Sequence, residues 1–202
     1  TGSQQSTIID SMLFSLRDDV QREMNETKTK RCIIDTSPFF SGATHLAWHA
    51  CDAMIIPVRT DQQSINSLTL LLKTLSDPAS EFRKIMPSNG HTPKIQMIVL
   101  RIVDGQQSQV QEQTESVDKN NVEKILDIIR QNITQFTTDD PTNHLLLLDD
   151  FLGTGRISSA KAKPINLLSS GESMTINRVR TEVNASVDKI KNQLLYIHNS
   201  IW

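Results

Sequence analysis

Asp35 closes a short apolar run, Cys32-Ile33-Ile34, and is followed at once by Thr36-Ser37-Pro38. A carboxylate at the carboxyl end of a buried strand can hold hydrated Mg²⁺ beside a nucleotide phosphate. An aspartate there can equally cap a turn, because its side chain accepts nearby backbone N–H groups. The local residues leave both readings open. Arg59, Asp61, Asp104 and Asp149-Asp150 also fall just past apolar runs. His45 and His49 are four apart, but Leu46 stands where a zinc motif needs glutamate. With His91, His144 and His198 they make no triad with the cysteines, and they read as core or surface histidines. Cys32 and Cys51 lack metal-ligand spacing and read as buried free thiols in a reducing compartment. Gly153-Thr154-Gly155-Arg156 is a lone G-x-G without a lysine, and reads as a turn.

Helices and strands must position these groups. Ile9, Met12, Leu13, Leu16, Val20 and Met24 share one helical face, so the spacing predicts a helix over 8–26. A short strand over 32–35 follows, closed by Pro38. Residues 41–51 predict a helix with Ser41 as N-cap, and 53–58 a strand. Leu68, Leu71, Leu72 and Leu75 mark a helix over 64–77. Residues 79–93 hold Pro87, Gly90 and Pro93 and read as a loop. A nearly continuous apolar strand spans 94–103. The polar stretch 106–121 is a loose helix or a mobile loop, and 122–133 a helix. Residues 144–150 form a strand, 156–170 are irregular, and a long helix runs over 172–201.

Alternating helices and short apolar strands predict an α/β fold: a three-layer, mostly parallel sheet covered on both faces. Residues 1–202 form one domain, with 1–7 a polar extension and 171–202 a helical segment packing on the sheet. Such sheets bind ligands at the carboxyl ends of their strands.

The 202 residues are 37% hydrophobic and only 4% aromatic, which predicts an aliphatic core. The net charge is −2, so the whole chain is no polycation. Seven Lys or Arg against three Asp or Glu nonetheless give residues 156–202 a charge of +4. No apolar stretch reaches transmembrane length and there is no signal peptide, so no membrane partner and a cytoplasmic location are expected.

The stretch Ile33-Ile34-Asp35-Thr36-Ser37-Pro38, then Cys51-Asp52, Ile56-Pro57-Val58, Asp61 and the Leu68–Leu75 helix resembles the ParA-type partition ATPases. These belong with MinD to the deviant-Walker group of P-loop NTPases. The spacing fits without gaps, and Ser37 stands where the family has proline. The likeness continues more weakly through 98–113 and 155–165 and covers most of the chain from about Leu16.

The resemblance implies a P-loop NTPase-like fold, ATP and Mg²⁺ as cofactors, and Asp35 as the Walker B-like carboxylate reaching Mg²⁺ through water. Thr36, Ser37 and Pro38 would open a γ-phosphate switch that runs to Gly42. Arg101 and Asp104 would lie near the adenine, as would the segment 152–164, although Leu152 and Gly153 replace the family's Ile-Pro-Arg. Arg156 matches the arginine of the family's Arg-Leu-Ser segment. With Lys161, Lys163, Arg178 and Arg180 of the basic tail it is the expected contact to non-specific DNA, through phosphates. A homodimer and a centromere-binding, ParB-type adaptor are the implied partners.

The chain departs from the family in one large respect. It contains no G-x-x-x-x-G-K-[ST] and no K-G-G-x-G-K-[ST]. In the family that element lies N-terminal to the Asp-Thr-Pro strand, and Thr1 is not a natural start. The expectation is therefore a C-terminal portion that lacks the phosphate loop and is inactive alone. A P-loop-less interaction module and a MinD-like membrane-cycling ATPase are the alternatives.

Overall fold

The computed structural model describes residues 2–36, 41–86, 90–102 and 111–201, with side chains left undescribed in 2–6 and 111–118. Ser37, Pro38 and Asp104 lie outside these residues.

The chain runs α1 (Gly2–Thr27), α2 (Gly42–Ala50), β1 (Ala53–Arg59), α3 (Gln62–Ser76), α4 (Glu81–Lys84), β2 (Lys94–Ile102), α5 (Gln111–Gln131), β3 (Leu145–Asp149) and α6 (Leu152–Lys161). A hairpin of β4 (Ser173–Ile176) and β5 (Val179–Glu182) follows, and α7 (Val187–Ile201) ends the fold. Strands β1, β2 and β3 form a parallel sheet in that order, with Arg59 beside Arg101 and Ile102 beside Asp149. The α/β class and the parallel sheet expected from the sequence are present.

Strand β2 is central and buried on both faces: Ile95, Met97, Ile98, Val99 and Leu100 are each at most 6% exposed. Burial on both faces accounts for its unbroken apolar run. Strand β1 alternates in burial and contains Pro57, which has no N–H to give a ladder and suits an edge strand. Leu68, Leu71, Leu72 and Leu75 of α3 pack in the main core with Trp48, Phe82, Ile125 and Ile129. Asp61 caps α3, accepting from the Ser64 amide at 2.7 Å, and Ser41 caps α2, accepting from the Thr44 amide at 3.4 Å. A smaller core joins Ile157, Leu168, Val183 and Val187.

Several expectations need correction. Residues 31–36 form no strand, and Ile33 is 73% exposed. A short β-prone run is stabilised only by a neighbouring ladder, and these residues have none among the described strands. Cys32 is exposed rather than buried, and Cys51 is half-buried. Residues 2–7 are not an extension in backbone form, because α1 starts at Gly2. The 79–93 loop holds the single turn α4, whose Phe82 is fully buried. For the polar stretch, the helical alternative holds from Gln111.

The region after β3 differs most. The G-x-G turn and the first part of the stretch expected to be irregular, 156–161, are the helix α6, while 162–170 hold no α-helix or strand; α6 hid because it buries only Thr154 and Ile157 and so carries no apolar stripe. Its Gly153 lets the helix approach β5: a Cβ there would stand 2.1 Å from the Glu182 carbonyl oxygen. The single helix over 172–201 is instead the β4–β5 hairpin followed by α7. Asn177 and Arg178, with φ of 50° and 66°, form the two-residue turn whose right-handed twist matches the strands.

Candidate functional site

Parallel strands β2 and β3 end together at Arg101, Ile102 and Asp149, and the chain turns into α6 through Asp150 and Phe151. This places Arg101, Asp149, Asp150, Phe151, Gly155 and Arg156 around one hollow of about 370 Å³. Of the residues singled out in the sequence, Arg101, Asp149, Asp150 and Arg156 meet here.

The hollow is built on charge pairs. Asp150, 8% exposed, accepts from the Arg101 guanidinium at 2.5 Å and from the Leu152 amide at 3.1 Å. Burial pushes the Asp150 carboxyl up. The Arg101 bond and the Leu152 amide outweigh it and hold the group below its ordinary 3.8. Asp149 accepts from Lys189 of α7 at 2.8 Å. Gln193 clasps the same strand end, donating to the Leu147 carbonyl at 3.0 Å and accepting from the Asp149 amide at 3.2 Å. Arg156 is exposed on α6, and among the described residues it makes no ion pair.

A shallower groove of about 680 Å³ adjoins the hollow across Gly155 and Arg156. Ser159, Ile176, Asn177 and Val179 line its far side. It lies between α6 and the hairpin that carries Arg178 and Arg180, both exposed and without an ion pair among the described residues. Lys161 and Lys163 are held otherwise. They bracket Glu172 at 3.2 and 3.1 Å, and Glu172 also accepts from the Ser169 amide at 2.7 Å. That amide first, then Lys163 and Lys161, hold the Glu172 carboxyl at about 2. The five cations expected to act together thus divide into three free arginines and two engaged lysines.

Asp35 and Thr36 line neither hollow. Both are exposed on residues 31–36, which pair with no described strand, and Asp35 makes no ion pair among the described residues. No group of three His, Cys, Asp or Glu side chains able to hold a metal occurs among the described residues. A lone exposed carboxylate fits Mg²⁺ bound largely by water and phosphate, and does not make a metal cage by itself.

Sequence reasoning missed Phe151 at the hollow, and Lys189 and Gln193 as the partners of Asp149. It placed Asp150 at a strand end without giving it Arg101 as a partner. The paired aspartates after an apolar strand were the available signal. The expected packing of the C-terminal helix on the sheet is met by α7 against β3, but its contacts to Asp149 were not foreseen. No helix of the described residues is long and apolar enough to cross a membrane. Compared with known protein families, curated proteins and solved structures, the chain matches none.

Proposed function

We propose that this chain is the carboxyl-terminal portion of a partition-type ATPase of P-loop NTPase-like, three-layer fold. In this reading the complete cytoplasmic protein dimerises on ATP, binds DNA without sequence preference and hydrolyses ATP with a centromere-binding adaptor. One observation carries the reading. Arg101, Asp149, Asp150 and Arg156 converge at the carboxyl ends of a parallel strand pair, where open α/β sheets take ligands. The family resemblance of residues 33–75 gives that ligand its class.

Asp35 would hold Mg²⁺ through water, and the Mg²⁺ would neutralise phosphate charge. Thr36 and the segment up to Gly42 would follow the γ-phosphate, and Arg101 would lie near the base. Hydrolysis in such sites rests on positioning and electrostatics rather than covalent chemistry. Arg156, Arg178 and Arg180, exposed and without an ion pair among the described residues, supply the charge for DNA phosphates.

The test uses the natural gene product that carries this chain. Asp35→Ala should abolish its Mg²⁺-dependent ATP turnover, and wild-type turnover in that variant refutes the assignment. Arg156→Glu should weaken DNA retention at low salt with nucleotide binding intact, whereas unchanged retention sinks the DNA contact. A second reading, a non-catalytic protein-interaction module, draws on the exposed apolar Ile55 of the edge strand β1 and on the exposed Ile33. A gene product that neither binds nor hydrolyses ATP would favour it.

A further inference from the structure

The β4–β5 hairpin has two chemically different faces. Met174 stands across from Thr181 and Ile176 across from Val179, while Ser173 stands across from Glu182 and Thr175 across from Arg180. Residues directly opposite in an antiparallel pair share a face. Met174 and Ile176 pack on the small core of Ile157, Leu168, Val183 and Val187. Ser173, Thr175, Arg180 and Glu182 therefore project from the other side, and all four are exposed. Their side chains make no hydrogen bond or ion pair among the described residues.

The hairpin is held from behind. Asn184, just past β5, accepts from the Thr154 amide of α6 at 3.3 Å, and its own amide donates to the Thr154 hydroxyl at 3.0 Å. The Val183 amide donates to the Glu172 carbonyl at 2.8 Å and carries the pairing past the end of β4. The outer face thus sits on a fixed frame, which leaves little ordering for a partner to impose. Four strand residues span about 13 Å, and paired strands lie about 5 Å apart. A two-stranded ribbon of that size enters the major groove of duplex DNA, which is about 12 Å wide.

The residue types decide what such a face reads. A surface made for phosphates alone carries cations, and a carboxylate on it repels the backbone. Here Glu182 shares the face with Arg180. Base edges in the major groove take both signs. Arginine bridges guanine O6 and N7, glutamate accepts from cytosine N4, and serine or threonine suits either kind of edge. Arg178, in the turn at the ribbon's tip, supplies a cation for a neighbouring phosphate.

We propose that β4–β5 is a base-reading ribbon whose outer face enters the major groove of duplex DNA. Arg180 lies on guanine, Glu182 on cytosine, and Thr175 and Ser173 on neighbouring edges. The duplex partner rests on the reading given above. To that uniform phosphate binding the ribbon adds a preference for sites that hold guanine and cytosine at fixed spacing.

The test is selection of binding sites from a randomised duplex pool by the natural gene product that carries this chain. The parent should enrich a motif with a guanine and a cytosine. Replacing that guanine by 7-deazaguanine, which lacks the N7 acceptor, should weaken binding about fivefold or more. Arg180→Ala should erase the preference at guanine. Glu182→Gln should move the preference from cytosine to adenine, whose N6 and N7 suit an amide. Both side chains are exposed, so the variants should keep the fold, which circular dichroism checks. Should either fail to fold, the 7-deazaguanine comparison on the parent decides. Uniform recovery from the pool with DNA still bound overturns the ribbon and leaves the phosphate reading standing. An enriched motif that both variants keep overturns it as well. No binding to any duplex overturns both readings. Competition by polyglutamate as effective as that by duplex DNA would make the face a site for an acidic protein, and also overturns the ribbon.

Discussion

The Arg101 guanidinium donates to the Asp150 carboxylate across 2.5 Å, fastening the end of β2 to the turn that follows β3. The pair brings the end of one strand to the start of α6, and the hollow exists because of it. Arg101→Ala would leave a carboxylate of 8% exposure without its cation, at a cost of about 1–3 kcal/mol in urea unfolding. A double-mutant cycle with Asp150→Asn should give a coupling above about 0.5 kcal/mol. Asp150 titrates below its ordinary 3.8, so its contribution is complete above that pH and is lost as pH falls through the lower folded value. The stability gap between the parent and Arg101→Ala should therefore narrow in strong acid. A coupling near zero would remove the pair from the account.

Two glycines test how close α6 lies to the hairpin. A methyl at Gly153 would meet the Glu182 carbonyl oxygen at 2.1 Å, so Gly153→Ala should destabilise by about 1–3 kcal/mol. Gly42, in the first turn of α2, has nothing within 4 Å of an added Cβ. Gly42→Ala should instead stabilise by about 0.5–1 kcal/mol. Equal thermal midpoints for the two variants would mean that α6 does not pack as described.

Glu172 keeps two lysines from solvent anions. In Glu172→Gln the ion pairs with Lys161 and Lys163 are lost and both ammonium groups become available. If DNA binds this face, its affinity at low salt should rise and the log–log salt dependence should steepen by up to about 2. The Glu172 carboxyl sits at about 2, so its contribution to stability is full above its ordinary 4.5 and is lost as pH falls towards 2. A variant with unchanged salt dependence would show that the lysines do not reach the nucleic acid.

Arg178 holds a backbone conformation that glycine prefers, with φ of 66°. Arg178→Gly should raise the thermal midpoint slightly, by the equivalent of about 0.5–1 kcal/mol, while lowering DNA retention. The opposed signs separate a turn effect from a charge effect. A fall in both would mean that the side chain packs against the hairpin.

Local physics made much of the fold legible in the sequence. The Leu68–Leu75 stripe, the unbroken apolar run of β2 and the Ser41 cap each act within a few residues, so composition and spacing carry them. Asp149 and Asp150 were legible as residues just past an apolar strand, whereas Arg101 and Arg156 were singled out only through the family resemblance. Tertiary structure alone decided the rest. Helix α6 carries no stripe because its buried side rests on a thin hairpin, so periodicity could not announce it. The run at 32–35 reads as a strand but stays unpaired, because a strand is defined by its neighbour. The partners of Asp150, Asp149 and His91 lie 49, 40 and 74 residues away along the chain. Ion pairs and tautomers depend on such through-space contacts, and those are set only when the chain has folded.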